Sequence, residues 1–292
     1  MSDDLRHALI DGEVAGARYR LAPPDHAPGG LAGMHLGQGV GSSLEFMEHR
    51  TYQPGDDIRQ IDWSAYARTD RLIVKQYRRE VVPHLDLLLD ASASMDLPGS
   101  PKARAALALA ALLATAAERA GYTHRVWRAQ ERIDPLPSSD ARPSQWPDAV
   151  FGFAGEDNPE LVLGRTPPPF RPRGVRILVS DLLWAGDPQG FVKQFAAGAA
   201  TAAVVQVLAR ADAHPDFSGD MRLVDHETGR VRDVAIDEAV LRRVRKRLGD
   251  LRTGWAAALR RVGGVFCPIT AEAFLDDWRL NELTATELLK VS

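Results

Sequence analysis

From about Pro83 onward the chain alternates short apolar segments with helical ones, and that alternation restricts the fold more than any other feature. Five segments, 84–90, 124–129, 175–180, 202–208 and 264–269, are brief and rich in β-branched or large apolar residues, as strands are. Helical stretches separate them. Ser100 before Pro101 is a helix start, with Ser as N-cap and Pro in the first turn. Gly121 is a stop, because glycine tolerates the left-handed conformation just past a helix end. Further helices are expected over part of 143–154, over 188–199, and from near Asp237 toward Gly263 with a break near Gly249. Strands joined by helical crossovers give a mainly parallel sheet with helices on both faces, an α/β architecture. One interruption, 222–234, has two apolar arms around Glu227, Thr228 and Gly229 and reads as a β-hairpin.

The first third has another texture. Residues 22–43 are crowded with Gly, Pro and Ser, which favours loop or irregular extended structure, and 44–80 are dense in charge and aromatics. The expected division is therefore an amino-terminal segment, 1–82, and an α/β domain, 83–292. The hydrophobic fraction of 45% is enough for a sizeable core. A net charge of -3 gives no bulk attraction to nucleic acid or acidic lipid. The lone Cys267 excludes an internal disulfide and a Cys-cluster metal site, and its apolar setting reads as a buried, inert thiol in a reducing, cytoplasmic compartment. The acidic amino terminus does not read as a signal peptide, and no apolar run approaches the roughly 20 residues needed to span a bilayer. The Ala-rich stretch 105–120 reads as a buried helix, and the basic run 242–247 as a solvated helix face.

Two places carry chemistry. In an open parallel sheet, ligands collect at the carboxyl ends of strands, near the point where strand order reverses. The stretch LLLDASASM puts Asp90 at such an end, with Ser92 and Ser94 following, and ILVSDLL puts Asp181 at another. Two carboxylates and two hydroxyls form a hard-oxygen site suited to Mg²⁺ or Mn²⁺. An acidic side chain from a partner could complete the ion's shell. The same residue types also serve as ordinary turn and capping groups. Upstream, Asp56, Asp57 and Asp62 alternate with Arg50, Arg59 and Arg68, beside Tyr52 and Trp63. Arginine forks grip carboxylates bidentately, so this is either a structural ion-pair network or a contact surface for a partner. There is no P-loop, no G-x-S-x-G elbow and no H-E-x-x-H.

The D-x-S-x-S loop with Met95, and the later strand-end Asp181, resemble the metal-ion-dependent adhesion site of von Willebrand factor type A domains. The stretch 46–80 is similar to the signature of domain of unknown function 58, R-x-Y-x-x-G-D-D-x-R-x-I-D-W followed by A-R, matched by Arg50, Tyr52, Gly55, Asp56, Asp57, Arg59, Ile61, Asp62, Trp63, Ala67 and Arg68. The resemblance implies a von Willebrand A-like domain behind a family-specific segment. It also implies a threonine ligand from an intermediate loop, for which Thr166 is the candidate although three prolines follow it. Asp181 is followed by Leu182, where integrin-like domains commonly have glycine. The implied partner is a MoxR-type AAA+ ATPase. The expectation is thus a non-enzymatic protein-interaction module acting in chaperone-like maturation or assembly. The alternatives are a metal-dependent hydrolase using the same acids, and a structural protein with a degenerate, metal-free site.

Overall fold

The structure of the protein is a computed structural model that describes residues 2–22, 44–79, 82–224, 230–278 and 280–292. The chain forms two compact units, residues 1–26 with 83–292, and residues 27–82. In chain order the described elements begin with α1 (Ser2–Gly16) and β1 (Tyr19–Leu21). The smaller unit then contributes β2 (Leu44–Thr51), α2 (Trp63–Thr69) and β3 (Ile73–Arg79), with β2 and β3 paired antiparallel. The larger unit resumes with β4 (His84–Asp90), α3 (Lys102–Arg119), β5 (Thr123–Ala129), β6 (Ile133–Pro135), α4 (Pro159–Arg165) and β7 (Val175–Ser180). There follow α5 (Pro188–Phe195), β8 (Thr201–Leu208), α6 (Arg210–Ala213), β9 (Gly219–Val224), β10 (Val231–Ile236) and α7 (Glu238–Arg261). The chain closes with β11 (Val265–Thr270), α8 (Ala271–Asp277), α9 (Asn281–Ala285) and β12 (Leu289–Val291).

The main sheet runs β11-β8-β7-β4-β5-β6, all parallel except the edge strand β6. All five expected strands lie in it. Side chains alternate across it as the pleat requires. Leu85, Leu87 and Leu89 of β4 enter the core beneath α3, with Ile177, Val179, Phe274 and Leu283. Leu88 enters the opposite core, with Leu178, Phe191, Phe195 and Trp255 of α5 and α7. Helix α3 is buried from Lys102 to Ala117, Arg104 excepted, because it lies between the sheet and α1. Its alanines let α1 come close: a Cβ on Gly12 would fall 2.1 Å from the Ala108 carbonyl oxygen.

Several expectations need correction. Residues 2–21 belong with the sheet unit and not with an amino-terminal segment ending at 82, since α1 packs on α3 and β1 pairs with β12, Tyr19 opposite Val291. The helix expected within 143–154 is two short 3₁₀ turns, Pro143–Gln145 and Asp148–Phe151. Pro147 between them denies the backbone N–H an α-helix needs. The helix is instead α4, opened by the Asn158 side chain and Pro159. The helix expected over 188–199 ends at Phe195. Helix α7 passes Gly249 without a break. The hairpin is present as β9 and β10, but its Glu-Thr-Gly tip lies outside the described residues, as do 23–43 of the Gly- and Pro-rich stretch.

Candidate functional site

β4 lies between β5 and β7, so the strand order reverses at β4 and its carboxyl end meets that of β7. Asp90 and Asp181 arrive there from the two strands, as the sequence reading placed them. The D-x-S-x-S loop is held rigidly. Ala91 N donates to Ala129 O (3.0 Å), Gly155 N to Ala91 O (3.0 Å) and Ala93 N to Gly155 O (2.9 Å). Gly155 is needed for that approach, because a Cβ on it would stand 2.9 Å from Gln130 Cα.

Both Asp90 carboxylate oxygens are engaged. Oδ1 accepts from Ser92 N (3.0 Å) and Oδ2 from the Ser180 hydroxyl (2.6 Å). Asp90 is fully buried, and that burial, with repulsion from the Asp181 carboxylate, pushes it up to about 6. The Ser92 and Ser94 hydroxyls lie 3.1 Å apart and bond each other. Asp181 takes a different partner, which sequence reasoning missed. The Lys102 ammonium, at the first turn of α3, donates to Asp181 Oδ2 at 2.8 Å and stands 3.5 Å from Asp212 Oδ2. The Lys102 and Asp181 side chains are 1% and 2% exposed. The other Asp181 oxygen accepts from Leu183 N (3.1 Å), and its carbonyl from Gln206 Nε2 (3.0 Å), whose Oε1 in turn accepts from Arg252 Nε (2.9 Å). Leu182, at the position where glycine was noted as common, has φ of +58°, a conformation that favours glycine. Its fully buried side chain offsets that strain, since burying a leucine stabilises by about 1.5–3 kcal/mol.

Thr166 makes no hydrogen bond to Asp90, Ser92, Ser94 or Asp181. It ends α4 as an exposed residue, its N–H donating to Val162 O at 3.1 Å. The donor set therefore does not fit a divalent ion as it stands. One acid is paired with a buried ammonium, and each oxygen of the other already accepts a hydrogen bond.

In the smaller unit, the acids cap turns. Asp56 accepts from Arg50 (2.8 Å) and from Gln53 N (2.8 Å), and both bonds hold its carboxyl below the ordinary value. Asp57 accepts from Arg59 N (3.0 Å) and from its guanidinium, with the same effect. Asp62 is the N-cap of α2, accepting from Ser64 N and Ala65 N, and lies 3.0 Å from His49 Nε2. Arg68 lies in the last turn of α2, exposed. Trp63 is 61% exposed beside Tyr66, ring centroids 6.2 Å apart, with Ile58 and Leu72 also exposed.

Residues 48–252 match the model of the family described as protein of unknown function DUF58. The chain belongs to that family. The uncharacterized protein Rv1480 of Mycobacterium tuberculosis is 31% identical to this DUF58 protein over 252 residues, 81% of this chain and 78% of the relative. The uncharacterized protein Mb1516 of Mycobacterium bovis gives the same figures, 31%, 81% and 78%. Among solved structures, an aerotolerance-related membrane protein from Bacteroides fragilis aligns with TM-score 0.36 and 15% identity, covering 70% of this chain and 99% of that one. A von Willebrand factor type A protein from Catenulispora acidiphila aligns with TM-score 0.33 and 13% identity, covering 75% and 45%. These scores are low, and the fold assignment rests on the strand order. A parallel sheet with a D-x-S-x-S loop at its switch point is the architecture expected from the resemblance to type A domains. No helix of the described residues is long and apolar enough to cross a membrane.

Proposed function

We propose that this DUF58 protein is a non-enzymatic protein-interaction module whose partner is a MoxR-type AAA+ ATPase, the pair acting in the cytoplasm in maturation or assembly of other proteins. The observation that carries the reading is the exposed Ile58, Trp63, Tyr66 and Leu72 within the family-matched segment, next to the cap-fixed acids Asp56, Asp57 and Asp62. Exposed aromatics on a fixed turn and helix are the usual anchors of an interface. The link to the ATPase comes from the family resemblance alone. The acids themselves weigh against the hydrolase alternative, because Asp181 is paired with an ammonium and each Asp90 oxygen already accepts a hydrogen bond.

The test is co-elution of the purified chain with a MoxR-type ATPase from the same genome, with and without ATP, beside a Trp63→Ser variant. Binding weakened about tenfold or more by the substitution, with unfolding unchanged, is expected for an anchor worth about 1.4 kcal/mol. Absence of a complex under every nucleotide condition would sink the partnership.

A further inference from the structure

We propose that the adhesion-type site of this protein carries its own cation: the Lys102 ammonium stands in for the divalent ion, so that the loop is fully formed without metal. A type A site gathers carboxylates around a cation at the switch point, and here the cation that reaches Asp181 Oδ2, at 2.8 Å, is Lys102 Nζ. Asp212 Oδ2, buried and lacking another hydrogen-bond partner, flanks the same ammonium at 3.5 Å. A divalent ion entering between Asp90 and Asp181 would meet a positive charge already on one of its ligands. The ammonium has nowhere to go, since its side chain is 1% exposed and α3 is buried around it. Displacing it would leave a buried charge without its partner, one of the more costly changes a protein interior can suffer.

Three further features agree. Each Asp90 oxygen already accepts one hydrogen bond, from Ser92 N and from the Ser180 hydroxyl. The Ser92 and Ser94 hydroxyls, 3.1 Å apart, share a hydrogen bond. Thr166 stays exposed at the end of α4. The place of Lys102 in its own helix points the same way. A cation in the first turn of a helix faces the positive end of the macrodipole, so helix stability alone would not select lysine there. Its position is explained by the carboxylate it reaches. The consequence is that this site cannot recruit an acidic partner side chain through an open metal coordination position. The inference does not depend on the identity of any protein partner.

The deciding experiment is calorimetric titration of Mn²⁺ and Mg²⁺ into the EDTA-treated full chain, beside thermal unfolding with EDTA or with the metal. No saturable binding and no change in unfolding temperature are expected. One-to-one binding that Asp181→Asn removes would overturn the proposal. A Lys102→Ser variant, which vacates the position, is expected to unfold at a lower temperature in EDTA and to recover part of the loss with Mn²⁺. A folded Lys102→Ser protein indifferent to Mn²⁺ would overturn the claim that lysine replaces a metal. Should that variant fail to fold, the wild-type titration still decides. Lys102→Met/Asp181→Asn/Asp212→Asn, which removes the ammonium together with both carboxylate charges beside it, is then expected to fold, and its failure to do so would count against the pairing.

Discussion

Gly12→Ala tests the seating of α1 on α3. A Cβ at this position would lie 2.1 Å from the Ala108 oxygen, 2.8 Å from its carbonyl carbon and 2.9 Å from its Cα, where ordinary contacts are 3.4–4 Å. All three atoms are backbone of a helix fixed against the sheet, so relief requires α1 to back away by roughly 1 Å, which loosens the buried Leu5, Ala8 and Leu9. Overpacking of this kind costs about 1–3 kcal/mol. Replacing glycine by alanine inside a helix returns about 1 kcal/mol of propensity. The net expectation is a loss of up to about 2 kcal/mol, read as a lower urea midpoint at unchanged slope. Gly249→Ala is the control. It lies exposed within α7 with nothing within 4 Å of its Cβ position, so only the propensity gain of about 1 kcal/mol applies. If both substitutions stabilise equally, α1 does not pack on α3 as described, and the assignment of residues 2–21 to the sheet unit fails.

Asp86, 1% exposed, accepts from the Trp127 indole (2.8 Å) and from Arg171 N (2.9 Å). Asp86→Ala strands both donors and should cost about 2–4 kcal/mol, measured by thermal unfolding. Asp90, raised to about 6 from 3.8, binds its proton more tightly when folded. Its contribution to stability is therefore full below about pH 4 and lost as pH rises through 6, and the difference corresponds to about 3 kcal/mol. Asp90→Asn should flatten that segment of a stability-against-pH curve, and an unchanged slope would show that Asp90 ionises freely in the fold. The Cys267 thiol is buried, and that burial pushes it up to about 11. It should resist a thiol reagent at pH 8 until urea unfolds the chain, and prompt modification of the native protein would contradict its burial.

Much of the sheet was legible because its signals are local. Segments such as VRILVS are mostly apolar, with an acid at or just past the strand end, so β4 and β7, and with them Asp90 and Asp181, could be placed from the chain alone. The DUF58 signature of 50–68 was likewise readable, and the acids in it turn out to be N-caps and turn acceptors, roles set within a few residues. Helix α1 also had a local signal, apolar Leu5, Ala8, Leu9 and Ala15 at helical spacing behind Asp3 and Asp4, that reading the amino terminus for targeting passed over.

Other features depend on residues far apart in the chain. Nothing near Gly249 tells a tolerated glycine from a break, because packing outweighs weak local preference, whereas Pro147 is itself a local signal against one helix over 143–154. Lys102, met as a sequence, is one more cation at the start of a helix. It becomes the partner of Asp181 only when β7 lies beside β4 and α3 is buried between the sheet and α1. Strand ends are local, so the acids that reach the switch point could be read from the chain. What stands between them could not, since an ion pair spanning 79 residues exists only once the fold has brought its ends together.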